Sequence, residues 1–109
     1  MKAILRRARI SPRKAKGAMD LIRGMQVESA ISTLKFTQRK GAALALKLLQ
    51  SAIANANNND GVDIDYLWVK ASYVDNGPTL SRYMPAAHGR ATPIKKRTSH
   101  LTIILEERR

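Results

Sequence analysis

Two segments of this chain, Ile64 to Val74 and Leu101 to Leu105, alternate like strands, and what lies between them cannot be an ordinary loop. From Asn76 to Leu105 there is no Asp or Glu. The stretch is too polar to pack into a core, and Pro85, Gly89 and Pro93 punctuate it too often for a helix. Roughly 25 residues separate the strands, whereas hairpin loops use two to five. The strands are therefore expected to continue outward as a two-stranded ribbon over 76–100, turning near Ala87-His88-Gly89-Arg90. A dozen residues per side would reach ~40 Å at about 3.3 Å per residue. Such a ribbon is marginally stable in water, so it should gain order on binding. Both of its strands are edges, which tolerate proline better than a central strand does. Its cations, Arg82, Arg90, Lys95, Lys96 and Arg97, have no acid beside them in sequence. Charges spread along an extended arm suit phosphates spread along a backbone.

The rest of the chain supplies the body that carries this arm. Lys2 to Ile10 reads as a strand, with Ile4, Ala8 and Ile10 on one edge. Ser11-Pro12 reads as a helix start, because Ser is a preferred N-cap and Pro fits the first helical position. Ala15, Ala18, Met19 and Ile22 follow at helical spacing, and Gly24 ends the element. Val27 to Phe36 predicts a second helix with Val27, Ala30, Ile31 and Leu34 on one face. A third is predicted from Thr37 or Gln38, with a stripe of Ala42, Leu46, Leu49, Ile53 and Ala56. Asn57 to Gly61 should stop it, since Asn and Gly tolerate the left-handed exit. In the next strand, Leu67, Val69, Ala71 and Tyr73 fall on one side and Trp68, Lys70 and Ser72 on the other. Strand, three helices and two strands predict a single α+β domain over 1–109, its helices on one face of a small antiparallel sheet.

Charge narrows the partner. Lys and Arg number 20 against 8 acids, a formal charge of +12 on 109 residues. That much self-repulsion in a small domain points to a polyanion, with nucleic acid ahead of an anionic membrane or an acidic protein. No basic helix with a bulky apolar face supports a membrane-surface role. There is no cysteine, and the apolar start is too short for a signal peptide. A cytosolic compartment that holds nucleic acid is the expected location. A second basic cluster lies at the first helix entrance: Arg6, Arg7 and Arg9 precede Ser11-Pro12, and Arg13, Lys14 and Lys16 follow. Carboxylates are the usual occupants of that end of a helix, so cations and unpaired N–H groups together suggest a phosphate. Arg39 and Lys40 repeat the theme more weakly at the third helix.

Other chemistries find little material. His88 and His100 have no partner at metal or triad spacing, and no glycine-rich phosphate loop occurs. Asp63 and Asp65, two apart on a strand face, are the one pair that could serve a nucleic-acid-modifying enzyme as a metal site. Exposed residues at a strand start explain them better. Tyr66, Trp68 and Tyr73 could stack on bases; core packing suits Tyr73 better, and Trp68 stays open. No cofactor is expected.

Six segments in register carry a resemblance over nearly the whole chain. They are Arg9-Ile-Ser-Pro-Arg-Lys14, Asp20-Leu-Ile-Arg-Gly24, Ser51-Ala-Ile-Ala-Asn-Ala56, Val74-Asp75 with Gly77-Pro78, Met84-Pro85 with Gly89-Arg90-Ala91, and Lys96-Arg-Thr-Ser-His100. Together the chain resembles the bacterial large-subunit ribosomal protein twenty-two family. The resemblance implies three helices packed on a three-stranded antiparallel sheet, with a long protruding β-hairpin. It implies binding to large-subunit ribosomal RNA, an early role in subunit assembly, and neighbouring ribosomal proteins as partners. It also implies a hairpin tip that lines the nascent-peptide exit tunnel in the cytoplasmic ribosome. On this chain the tip would be Arg82, Tyr83, Met84, Pro85, Ala86, Ala87, His88, Gly89 and Arg90. RNA contacts would fall to Ser11, Pro12, Arg13 and Lys14, and to the arm through Thr98, Ser99 and His100. Ala86 and His88 stand where the family often has Arg and Lys, Ser81 where Lys is common, and Pro93 is unusual in the returning arm. A less positive tip is therefore expected.

Overall fold

The computed structural model describes residues 2–78, 80–85 and 91–108. Strand β1 (Lys2–Ala8) leads into helices α1 (Pro12–Ile22), α2 (Val27–Phe36) and α3 (Lys40–Asp60). A short 3-10 turn (Ile64–Tyr66) then opens β2 (Leu67–Asn76); β3 (Leu80–Pro85), β4 (Ala91–Lys96) and β5 (Ser99–Glu107) complete the chain. The main sheet is antiparallel with order β1-β5-β2, so the last strand is central. Helices α1 and α3 pack on each other and on the sheet, with α2 against both. This is the α+β arrangement the sequence predicts.

The core forms where apolar spacing matches each period. Ala15, Ala18, Met19 and Ile22 of α1 are buried, as are Val27, Ala30 and Leu34 of α2. They meet Leu67, Val69, Leu101, Ile103 and Leu105 from the sheet. Gly24 (φ 82) and Gly61 (φ 66) take left-handed conformations just after α1 and α3, where a Cβ would be strained.

Several expectations need correction. In β1 the inward residues are Ala3 and Ala8, with Leu5 partly buried, while Ile4 is 40% exposed. The reason is a β-bulge: Leu5 pairs with Leu101 but Ala8 pairs with Ser99, so β1 carries one extra residue. A second bulge at Lys70 reverses the parity of β2. Ser72 is consequently the buried residue, donating its hydroxyl to the Met19 carbonyl at 2.6 Å, and Tyr73 is 40% exposed rather than core. Helix α3 begins later than expected, because Thr37 ends α2 instead: its N–H donates to the Leu34 carbonyl and its hydroxyl to the Thr33 carbonyl. The buried stripe of α3 is also rotated, running through Gly41, Ala42, Ala45, Leu48, Leu49, Ala52 and Ala56. Leu46 and Ile53 lie at its border, since small residues let α3 approach its neighbours more closely.

The arm leaves the sheet through a pinched root. Asn76 still pairs with Ser99, the last rung on that side. Beyond Gly77-Pro78 and Arg97-Thr98 a separate antiparallel ladder runs from Leu80–Lys96 to Pro85–Ala91, with Pro93 opposite Tyr83. At the root the Gly77 N–H donates to the Thr98 carbonyl (3.0 Å) and the Thr98 hydroxyl to the Pro78 carbonyl (2.6 Å). A Cβ on Gly77 would lie 2.5 Å from that hydroxyl, so only glycine allows the two chains to close here. The molecule measures 65 × 26 × 16 Å with a radius of gyration of 17.0 Å. A compact chain of this length would have about 13 Å, so the arm projects. The turn expected at Ala87-His88-Gly89-Arg90 lies outside the described residues.

Candidate nucleic-acid interface

Two helix entrances that are far apart in sequence meet in space. Gly41, in the first turn of α3, presses against α1: a Cβ there would lie 3.0 Å from the Lys14 carbonyl and 3.5 Å from the Ala15 Cα. This approach shapes a cleft of about 730 Å³ with Ile10, Gly17 and Gly41 as its floor. Arg13 and Lys14 line it from α1, Arg39 and Lys40 from α3, and all four are exposed. Lys40 Nζ donates to the Arg9 carbonyl at 2.6 Å, tying α3 to the end of β1. Neither helix has a side-chain N-cap bond or an acid in its first turn. Ser11 holds the cap backbone position only; its carbonyl accepts from the Lys14 and Ala15 N–H groups while its hydroxyl makes no cap bond. Two positive dipole ends and four cations therefore face one cleft. The sequence showed these as two separate clusters; the glycine at the entrance of α3 was the signal that they could meet.

The bulge in β1 extends this basic surface. In a regular strand Arg6 and Arg7 would point to opposite faces, one of them into the core. The extra residue lets both be exposed, and Arg9 is exposed beyond them. Arg7 takes φ 55, a left-handed conformation rarely adopted by a non-glycine residue. Its N–H donates to Nδ1 of His100 at 3.1 Å. Lys16 is exposed on α1 and Arg97 at the arm root. Ser99 and Thr98 are buried, and their hydroxyls serve the Ile10 and Pro78 carbonyls. Both side chains are thus engaged inside the protein. Arg82 and Tyr83 to Pro85 lie on β3, and Lys95 and Lys96 on β4. Ala86, Ala87, His88, Gly89 and Arg90 lie outside the described residues.

The cations of the cleft and of the bulged strand have no acidic partner among the described residues. Among the described residues the salt bridges are Arg23 with Asp20 at 2.7 Å and Arg108 with Glu106. Neither involves the cleft or the bulge. Most acids gather at the opposite end of α3: Asp60 closes that helix, Asp63 precedes the 3-10 turn and Asp65 lies within it, and Glu106 and Glu107 pair with the start of β2. At 1.5 Å per residue, α3 separates Lys40 from Asp60 by about 30 Å. Asp63 and Asp65 lie at a 3-10 turn rather than on the strand face expected for a metal pair. No group of three potential metal ligands occurs among the described residues. Trp68 is covered by the Arg108 guanidinium, 5.0 Å from the ring centroid. No helix among the described residues is long and apolar enough to cross a membrane.

Comparison with known proteins decides the family. The sequence pattern of the family described as ribosomal protein L22p/L17e matches residues 3–106. The chain belongs to this family. It is 47% identical to the large ribosomal subunit protein uL22 of Pelotomaculum thermopropionicum, an alignment covering 99% of this chain and 96% of that one. Membership makes the chain a structural ribosomal protein of the large subunit, located with it in the cytoplasm, and not an enzyme. Its partners are accordingly ribosomal RNA and other ribosomal proteins.

Proposed function

We propose that this chain binds large-subunit ribosomal RNA by neutralising phosphates at three places: the α1–α3 cleft, the bulged edge of β1 and the arm. The observation that carries this reading is the cleft itself. Arg13, Lys14, Arg39 and Lys40 converge on two uncapped helix starts without an ionic partner among the described residues. An isolated protein gains nothing from that placement, whereas a phosphate satisfies both the N–H groups and the side chains. Arg6, Arg7, Arg9, Lys16 and Arg97 widen the contact, and Lys95, Lys96, Arg82 and Arg90 carry it outward. Thr98, Ser99 and His100 contribute by fixing the arm root and the Arg7 backbone. In this reading the chain supports subunit assembly by bridging RNA segments with its body and arm. The hairpin tip, from Arg82 to Arg90, borders the nascent polypeptide in the exit tunnel.

Filter binding of the full chain to transcribed large-subunit ribosomal RNA tests the reading. Log affinity should fall steeply and linearly with log salt, with a slope that scales with the number of phosphates neutralised. An affinity that stays flat across the salt series would overturn it.

A further inference from the structure

Phe36 is 87% exposed, whereas the other exposed large apolar side chains among the described residues lie between 36% and 43%. A single exposed apolar residue needs no explanation by itself. Its location gives this one a meaning. Phe36 closes α2, and the chain turns tightly after it: the Arg39 N–H donates back to the Thr37 carbonyl at 3.0 Å. Three residues of chain span at most about 11 Å, so the Phe36 backbone lies within that distance of Arg39, which lines the cation cleft. Lys35 precedes it, Arg39 and Lys40 follow, and no Asp or Glu occurs between Glu28 and Asp60.

We infer that Phe36 is a stacking platform for an unpaired RNA base whose neighbouring phosphates occupy the Arg13, Lys14, Arg39 and Lys40 cleft. The inference rests on the RNA-binding reading above and deepens it by naming a base-contacting side chain. An aromatic face flanked by cations and remote from acids fits a nucleobase on an anionic backbone. An apolar pocket on a partner protein would have no need of the surrounding charge. On α2 Phe36 falls opposite the apolar face of Val27, Ala30, Ile31 and Leu34, so helical spacing gives it no place in the core.

The test compares the full chain with Phe36→Tyr, Phe36→Leu and Phe36→Ala in filter binding to transcribed large-subunit ribosomal RNA over a salt series. Exposure of the ring leaves the thermal midpoint unchanged in all three, which keeps folding out of the result. The Ala and Leu variants should bind about tenfold more weakly at every salt concentration, with the wild-type slope, because no charge is lost. The Tyr variant should stay within about twofold of wild type. Leu binding as tightly as wild type would reduce the contact to apolar area and overturn stacking. Equal RNA affinity for all variants would also overturn it, including the case in which they incorporate poorly into reconstituted subunits and the ring therefore meets a protein. Salt-independent binding by the wild type would instead sink the RNA reading on which the inference stands.

Discussion

The three helices of this protein begin in two different ways. Helix α2 is complete within the chain: the Gln26 side-chain oxygen accepts from the Glu28 and Ser29 N–H groups at 2.9 and 3.4 Å, Glu28 stands in the first turn and Lys35 in the last. Helices α1 and α3 lack a cap side chain and an acid, and their entrances carry Arg13 and Lys14, and Arg39 and Lys40. The same fold thus contains a helix built for its own stability and two whose entrances are built for something outside. The comparison teaches that charge placement at a helix start distinguishes folding from binding when the rest of the helix looks alike.

The largest effect should come from making α1 and α3 resemble α2. Arg13→Glu with Arg39→Glu should lower RNA affinity at least about a hundredfold near physiological salt, by removing two phosphate contacts and adding two repulsions. The same change should raise the stability of the isolated protein by about 0.3–1 kcal/mol per site, through the helix dipole. Opposite signs in filter binding and urea unfolding are the signature; parallel losses would break the comparison. Separating the two entrances is the next largest. Gly41→Val places branches where a Cβ already meets the Lys14 carbonyl, and should cost about 3 kcal/mol in urea unfolding.

A smaller effect is expected at the arm root. Ser99→Ala leaves the buried Ile10 carbonyl without its side-chain donor, at a cost of about 1–2 kcal/mol by thermal unfolding. The salt slope of RNA binding should be unchanged, since that hydroxyl faces inward; a reduced slope would give Ser99 a direct place on RNA. The smallest change is the loss of the α2 cap. Gln26→Ala should cost about 1 kcal/mol or less and leave RNA affinity alone. A drop in affinity would show that α2 too begins for the sake of its partner.

Much of this was legible along the chain. Ser11-Pro12 with the Ala15, Ala18, Met19, Ile22 spacing places α1, and the alternation around Leu101, Ile103 and Leu105 places β5. Both signals are local, since a helix or strand exposes its period within its own residues. Tyr73 and Ile4 defied the same reasoning. Each lies on a strand whose parity is reset by a bulge, and a bulge exists only with respect to a partner strand. Thr98 and Ser99 stand among basic residues in sequence, yet the fold turns both inward to close the arm root.

By itself the sequence determined that there would be three helices, strands at either end, a long acid-free arm and more positive charge than the domain could balance. The tertiary structure alone decided that Arg13 and Lys14 face Arg39 and Lys40 across one cleft, and that Arg6 and Arg7 share an exposed edge. The reason is range. Periodicity and composition act over a few neighbouring residues, whereas that meeting depends on Gly41 letting two helices touch, and that edge on β5 setting the register of β1.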